Sequence, residues 1–448
     1  MLNNIIKNSL ISVIFLFLLA SAMQECRAAE NNTAPPASQS EKVLTFLNTM
    51  NDEENETLFE LIKEYKKIKP DVKIQVENVS FYDSKSVIEK RFKENNLPDV
   101  MRVEIRLVIP YARQGMFCQL DKLIDTADYV DYLPYLYKFS VIDGKALYAI
   151  PQVTDCLALF YNKAHLKDAK LDGAPKNMEQ FLKYCRKLTL DEEGNSSDSP
   201  VFNPYKIARY GFSYHFESYY LLPVIFSFGG NLIDENCNSL IKTAKVKSAL
   251  QFIYDLKNKY GVVPAKIDPK FGHDFTLMEF MDGRISMIID GPWNIKKILK
   301  GSAFASAKEN LAISLIPRGE VSGAPIGGQF LAVSSKCKYP KEAYEFINYI
   351  NSKDAQLKFC RQNFIIPTRK SAMTAIAEDR KEPEYSIRQS LFEQMKFSAL
   401  YAFNIPEPEY MDELNKMVEK LLGGQIGFED ALTQIDSKFK EITSKNKK

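Results

Sequence analysis

Between residues 43 and 103 strand-like and helix-like patterns alternate, and this alternation restricts the fold more than any single motif does. Val43-Leu44-Thr45-Phe46-Leu47 is an apolar β-like run. An amphipathic helix over 53–68 follows and stops before Pro70. Val72-Lys73-Ile74-Gln75-Val76 alternates apolar and polar residues as a half-buried strand does. The spacing then predicts a helix over 85–93 and a strand over 97–103. Strands that alternate with helices point to a parallel-rich α/β sheet covered by helices on both faces.

A different signature spans 144–166. Asp143-Gly144 marks a loop, and the short apolar run after it ends at Pro151. A polar patch from Gln152 to Asp155 comes next, then a second strand-like run, Leu157-Ala158-Leu159-Phe160-Tyr161, closed by Asn162-Lys163. An acid set between two buried strands, beside a proline-marked crossover, belongs where two lobes meet rather than inside a core. The alternation restarts beyond it. Helices are expected over 177–188, 219–228, 244–259, 276–281, 341–351 and 354–362, with several more from 387 to 442. Strands are expected over 286–289, 311–315 and 330–333.

A chain of 448 residues can bury more than one core, and the length favours two or more domains. Its net charge of +2 gives no reason to expect nucleic acid as a partner. The N-terminus reads as an export signal over 1–28: Lys7 supplies positive charge, 11–20 is almost wholly apolar, and Ala20-Ser21-Ala22 or Cys26-Arg27-Ala28 offers small residues for cleavage. That apolar run is short of the roughly 20 residues a membrane span needs. Cys26 lacks the small residues that precede a lipid-modified cysteine, so a lipid anchor there is not expected. A polar, Pro-containing linker over 29–40 should be disordered. The other cysteines, Cys118, Cys156, Cys185, Cys237, Cys337 and Cys360, are scattered singly, which suggests no metal centre and leaves buried thiols and disulfides both open. The three histidines, His165, His215 and His273, are isolated, and no nucleophile elbow or phosphate-binding loop follows a strand, so no catalytic residues, cofactor or metal are expected.

Gly144-Lys145, Tyr148, Pro151, Asp155, Leu159 and Tyr161-Asn162-Lys163, continuing into Ala174-Pro175-Lys176-Asn177-Met178-Glu179-Gln180-Phe181, resemble in order the crossover of bacterial extracellular solute-binding proteins of the maltose/trehalose (family 1) type, the substrate-binding components of sugar ABC importers. Leu97-Pro98-Asp99-Val100 with Tyr111-Ala112 to Gly115 resembles a second element of that family. So do Phe280-Met281-Asp282-Gly283-Arg284 to Gly291-Pro292-Trp293, Gly327-Gly328-Gln329-Phe330-Leu331-Ala332-Val333, and Ile366-Pro367-Thr368-Arg369. The likeness covers most of 41 to about 375. It implies an α/β, two-lobed periplasmic-binding-protein fold (type II), with a ligand cleft between lobes joined by several hinge crossings. Residues 41–152 with 313–338 would form one lobe and 153–312 with 339–448 the other. It further implies a monomer in the periplasm that captures a sugar, of di- or oligosaccharide size, and delivers it to membrane permease subunits.

The resemblance also implies the binding residues. Asp155 falls on an acid that holds sugar hydroxyls, Glu104 on an aspartate of a strand-end element, and Trp293 on a stacking Trp. Gly327 and Gly328 fall on a pair that lets backbone approach the ligand, with Gln329 next to them. Asn48, Glu217, Tyr219 and Arg369 complete the set. Hydroxyls need a partner for each buried hydrogen bond, and the C–H faces of sugars stack on flat rings. The chain departs from the family where Leu47, Leu107 and Gln329 stand in place of Trp, leaving Trp293 as the single tryptophan. Tyr214, Phe216, Tyr219 or Tyr220 would then supply the missing faces. Arg102 and Arg106 beside Glu104 would suit an anionic group, which keeps open a charged solute such as a phosphorylated polyol. An interaction protein that kept the fold and lost its pocket is the other open reading.

Overall fold

A computed structural model describes residues 41–123, 126–215, 217–265, 272–381, 384–398 and 408–446. The expected export signal at 1–28 and linker at 29–40 lie outside the described residues, as does Phe216. Two principal sheets organise the chain. The larger contains β1 (Lys42–Asn48), β2 (Val72–Asn78), β3 (Val100–Glu104), β4 (Ala149–Cys156), β8 (Ile326–Val333) and β9 (Ile366–Pro367), in the order β9-β4-β8-β3-β1-β2. The smaller is built from β5 (Ala158–Asn162), β6 (Met287–Asp290) and β7 (Leu311–Ser314), with β5 central. Helices flank both sheets.

The large sheet is mixed rather than parallel-rich. β1 runs parallel to β2 and β3, but β8 is antiparallel to β3 and β4, and β4 to β9. The first three strands are linked by crossover helices, which produce parallel neighbours. β8 returns from the other sheet and pairs in the opposite sense with β3 and β4. Local signals start the first helices. Asn51 Oδ1 accepts from the Glu54 amide at 2.8 Å while Glu54 Oε2 accepts from the Asn51 amide at 3.1 Å, a reciprocal cap for the helix Asp52–Ile68. Ser80 Oγ accepts from the Tyr82 amide at 3.2 Å, so the next helix, Phe81–Lys93, begins four residues ahead of the expected 85–93.

Alternation along the strands fixes the two faces of the large sheet. Leu44, Phe46, Leu331 and Val333 pack with Leu58, Leu61 and Tyr65 of the first helix and with Phe346, Ile347 and Ile350 of Pro340–Ile350. Met101, Val103 and Phe330 belong to a second apolar cluster. Each fully buried Phe of this kind stabilises the fold by about 1.5–3 kcal/mol. Pro340–Ile350 and Lys353–Asn363 both pack on Asp52–Ile68, so this part of 339–448 sits on the large sheet and not with the second lobe. Tyr410, Leu414 and Phe439, from Pro408–Leu422 and Phe428–Asn446, share a core with Leu159, Phe181 and Ile289 around the small sheet.

Pro151 does not end a strand. β4 runs through it, with the pairing register slipping between Gln329 and Phe330, the kind of irregularity that tolerates a residue with no N–H. Its carbonyl accepts from Asn351 Nδ2 at 2.9 Å and Thr368 Oγ1 at 2.7 Å. The chain therefore leaves the large sheet at Leu157, not at 152/153, and returns through 315–325, not at 312/313. The helix Glu384–Ser398 braces both crossings. Its Leu391 carbonyl lies 3.8 Å from Cys156 Sγ, and Gln394 bonds the Ile316 amide at 2.8 Å and the Ser322 carbonyl at 2.9 Å. Among the described residues all six cysteines are free, and no helix is long and apolar enough to cross a membrane.

Candidate binding cleft

Sheet register places the central polar residues. Gln329 lies opposite Glu104 of β3 on one side and Val153 of β4 on the other, and Gly327 lies opposite Asp155. Glu104, Gln329, Gly327 and Asp155 thus stand side by side where β3 and β4 end and β8 begins, next to the crossing at Leu157. Open α/β sheets bind ligands outside the carboxyl ends of their strands.

Asp155 is the centre of this group. The Tyr219 hydroxyl, from the helix Ser218–Ser227 of the other lobe, donates to its Oδ1 at 3.3 Å. Burial pushes the carboxyl up to about 7, with the Tyr219 bond opposing the rise and Glu104 adding to it. Gly327 is required here by space: a Cβ would come within 2.1 Å of Asp155 Oδ1 and 2.7 Å of the Tyr219 hydroxyl. Gly328 is required by conformation, with φ at +150°, and its Cβ would meet the Val153 carbonyl at 2.5 Å. Gln329 Oε1 is buried with no hydrogen-bond partner. An orphaned acceptor costs about 1–3 kcal/mol, which a donating hydroxyl would remove.

Trp293 belongs to the opposite wall and is half-buried. Its approach loop is fixed by Asp290, which accepts from the Gly291 amide at 2.7 Å and Asn294 Nδ2 at 2.9 Å and lies 3.3 Å from the buried His215. The indole folds back over Gly291, where a Cβ would meet the ring at 2.1 Å. Glu217 is half-buried just before the Tyr219 helix, and burial raises its carboxyl.

Two expected site residues are not free for a ligand. Asn48 is fully buried; its Nδ2 donates to Asn55 at 2.7 Å and Asn78 at 2.9 Å, and its Oδ1 accepts from the Met50 amide, so it ties β1 to its neighbours. Arg369 stacks on Tyr132 at 4.5 Å, donates to the Asn351 carbonyl at 2.8 Å and pairs with Asp131 at 3.4 Å. It stands by a concavity of about 420 Å³ lined by Tyr129, Tyr132 and Lys370, to which Asp155 does not contribute. Of the candidate aromatic faces, Tyr214 and Tyr220 are buried in the core and Tyr219 remains half-open. The arginines are also taken. Arg102 is buried against Glu54 Oε1 (3.0 Å), Gln152 (2.7 Å) and Thr49 (3.2 Å), while Arg106 pairs with Glu104. Neither guanidinium is left to hold an anionic solute.

The sequence reading missed the rim. Asn51 Nδ2 donates to the Trp293 carbonyl at 3.2 Å, Glu53 pairs with Lys300 at 2.8 Å and Glu56 with Lys296 at 2.9 Å. Lys85 reaches Asp412 at 3.4 Å, and Tyr82 meets Glu217. These contacts join residues of the large-sheet lobe to residues of the other, over sequence separations that no local pattern records. The one local signal, Ser80 as a helix cap, would have placed Tyr82 in the first turn.

Comparison with known proteins agrees with this fold. A family model described as bacterial extracellular solute-binding protein matches residues 60–384. Curated relatives include a galactooligosaccharide-binding protein of Bacillus subtilis, 23% identical and covering 88% of each chain. A maltodextrin-binding protein of the same organism is 23% identical over 87% of this chain and 86% of its own. Among solved structures, the GacH receptor of Streptomyces glaucescens superposes with a TM-score of 0.77 at 24% identity, over 90% of this chain and 98% of that one. A Thermus thermophilus maltotriose binding protein gives 0.73 at 20% identity, over 89% and 99%.

Proposed function

Because the chain belongs to the bacterial extracellular solute-binding proteins, we propose that it captures an oligosaccharide outside the cytoplasm and hands it to the membrane subunits of an ABC importer. It works as an exported monomer that releases its ligand chemically unchanged. The observation that carries the sugar reading is the cluster at the end of the large sheet: Asp155 with Tyr219, Glu104, the orphaned Gln329 oxygen, and no free guanidinium among them. Acceptors of this kind suit hydroxyl donors, and Trp293 on the facing wall offers a surface for C–H groups. Relatives whose names state galactooligosaccharide or maltodextrin binding support the same class. Two preformed half-sites that meet across hinge strands suit ligand-driven closure, in which the solute shifts the population by preferring the closed form.

The test is mass spectrometry of ligand released by denaturing the purified protein, followed by calorimetry with that compound and with maltose, maltotriose, galactobiose and galactotriose. A stoichiometric oligosaccharide with a micromolar or tighter Kd is expected. The reading is wrong if no oligosaccharide co-purifies or binds, or if the sugar is turned over.

A further inference from the structure

Resting on the oligosaccharide reading, we propose that Tyr82 is a ligand-contacting residue that sets how many sugar rings the cleft prefers. Its ring face takes a unit at the mouth, beyond the one held at Asp155. Tyr82 lies in the first turn of Phe81–Lys93 and is 61% exposed, with Phe81 beside it at 45%. The two rings meet edge to face, centroids 5.7 Å apart, and an exposed aromatic pair in a fixed geometry is a ready surface for the C–H face of a sugar. Tyr214 and Tyr220 are 2% and 4% exposed and offer no such face.

Tyr82 stands in the cleft rather than on a convex surface. Its phenol is raised well above the ordinary value, first by loss of surrounding water and then by the Glu217 carboxylate of the opposite lobe. The pair that Lys85 of the same helix makes with Asp412 at 3.4 Å sets this face of Phe81–Lys93 at the boundary between the lobes. Its position is fixed from three sides: its amide donates to Ser80, its edge meets Phe81, and its hydroxyl meets Glu217. Glu217 is anchored in turn, since the next amide, of Ser218, donates to Asn415 Oδ1 at 2.7 Å. Lys85, one turn along the same helix, reaches Asp412. The Tyr82 face is therefore brought over the cleft when the lobes meet, and a ligand gains it only by extending to the mouth.

Calorimetry on the full mature chain, with maltose against maltotriose and galactobiose against galactotriose, tests this. Tyr82→Ala is expected to weaken the trisaccharide of the binding series about tenfold, the worth of one stacked ring, and to change the disaccharide by less than about twofold. Tyr82→Phe keeps the face and should hold both within about threefold. Melting temperatures within a few degrees of wild type establish that the variants fold. If Tyr82→Ala binds the trisaccharide as tightly as wild type, or loses both sugars equally, the proposal is overturned and the oligosaccharide reading stands. A wild-type protein that binds none of the four sinks both.

Discussion

Asp155→Asn should make the unliganded protein more stable at pH 8 and its ligand complex weaker. The Asp155 carboxyl sits at about 7 against an ordinary 3.8, with burial as the main cause. About three pKa units correspond to about 4 kcal/mol between the protonated and ionised forms. Asp155 is only partly buried, so the realised cost of ionising it should be smaller, about 1–2 kcal/mol. The sign follows from linkage. Between pH 4 and 7 the folded protein holds a proton that the unfolded chain has released, so this group's contribution falls as pH rises through that window and is flat above it. Asn carries no charge at any pH. Urea denaturation of both proteins should therefore give matching stabilities near pH 4.5 and an Asn variant about 1–2 kcal/mol more stable at pH 8. Affinity runs the other way. A carboxylate accepting from a sugar hydroxyl is worth about 1.5–3 kcal/mol, so the variant should bind about 10- to 100-fold more weakly at pH 8. Wild-type affinity should fall below pH 7, where binding must first expel the proton, and the variant should lack that pH dependence. A variant less stable than wild type at pH 8 that retains wild-type affinity would refute the reasoning: Asp155 would then be a structural acid.

Further outcomes follow from other parts of the cleft. Trp293 is the single tryptophan, so ligand should shift the intrinsic emission directly, and Trp293→Ala should lose about 1–3 kcal/mol of binding by calorimetry. Gly328→Ala forces a side chain into a left-handed conformation and against the Val153 carbonyl; thermal unfolding should show a loss of about 1–3 kcal/mol. Arg369→Ala removes the hydrogen bond to the Asn351 carbonyl and the stack on Tyr132, so stability should fall while affinity stays within about twofold. Reversing Lys300 to Glu should shift the small-angle scattering profile toward a larger radius of gyration by opposing Glu53; restoring the pair with Glu53→Lys should return it, and high salt should narrow the difference.

The sequence by itself determined the parts of this protein that depend on neighbours along the chain. The apolar run 43–47, the helix signals up to Ile68 and the alternation at 72–76 lie within a residue or two of the observed β1, Asp52–Ile68 and β2, because period and capping act over a few residues. Asp155 stood out for a related reason, as an acid in a polar patch between two strand-like runs, whereas Gly327 and Gly328 were singled out by the family resemblance alone. Pro151 misled, because its missing N–H matters only if the strand's partner demands it, and there the partner β8 slips its register. Tertiary structure alone decided which polar groups remain free. Asn48, Arg102 and Arg369 have the same chemistry as true ligand donors, yet Asn78, Glu54 and Asn351, brought close by folding, consume their hydrogen bonds. The same holds in reverse for Tyr82, an ordinary residue in its helix until Glu217, more than a hundred positions away, closes over it. A hydrogen bond or ring contact between distant segments depends on where the whole backbone brings them, and no local period encodes that.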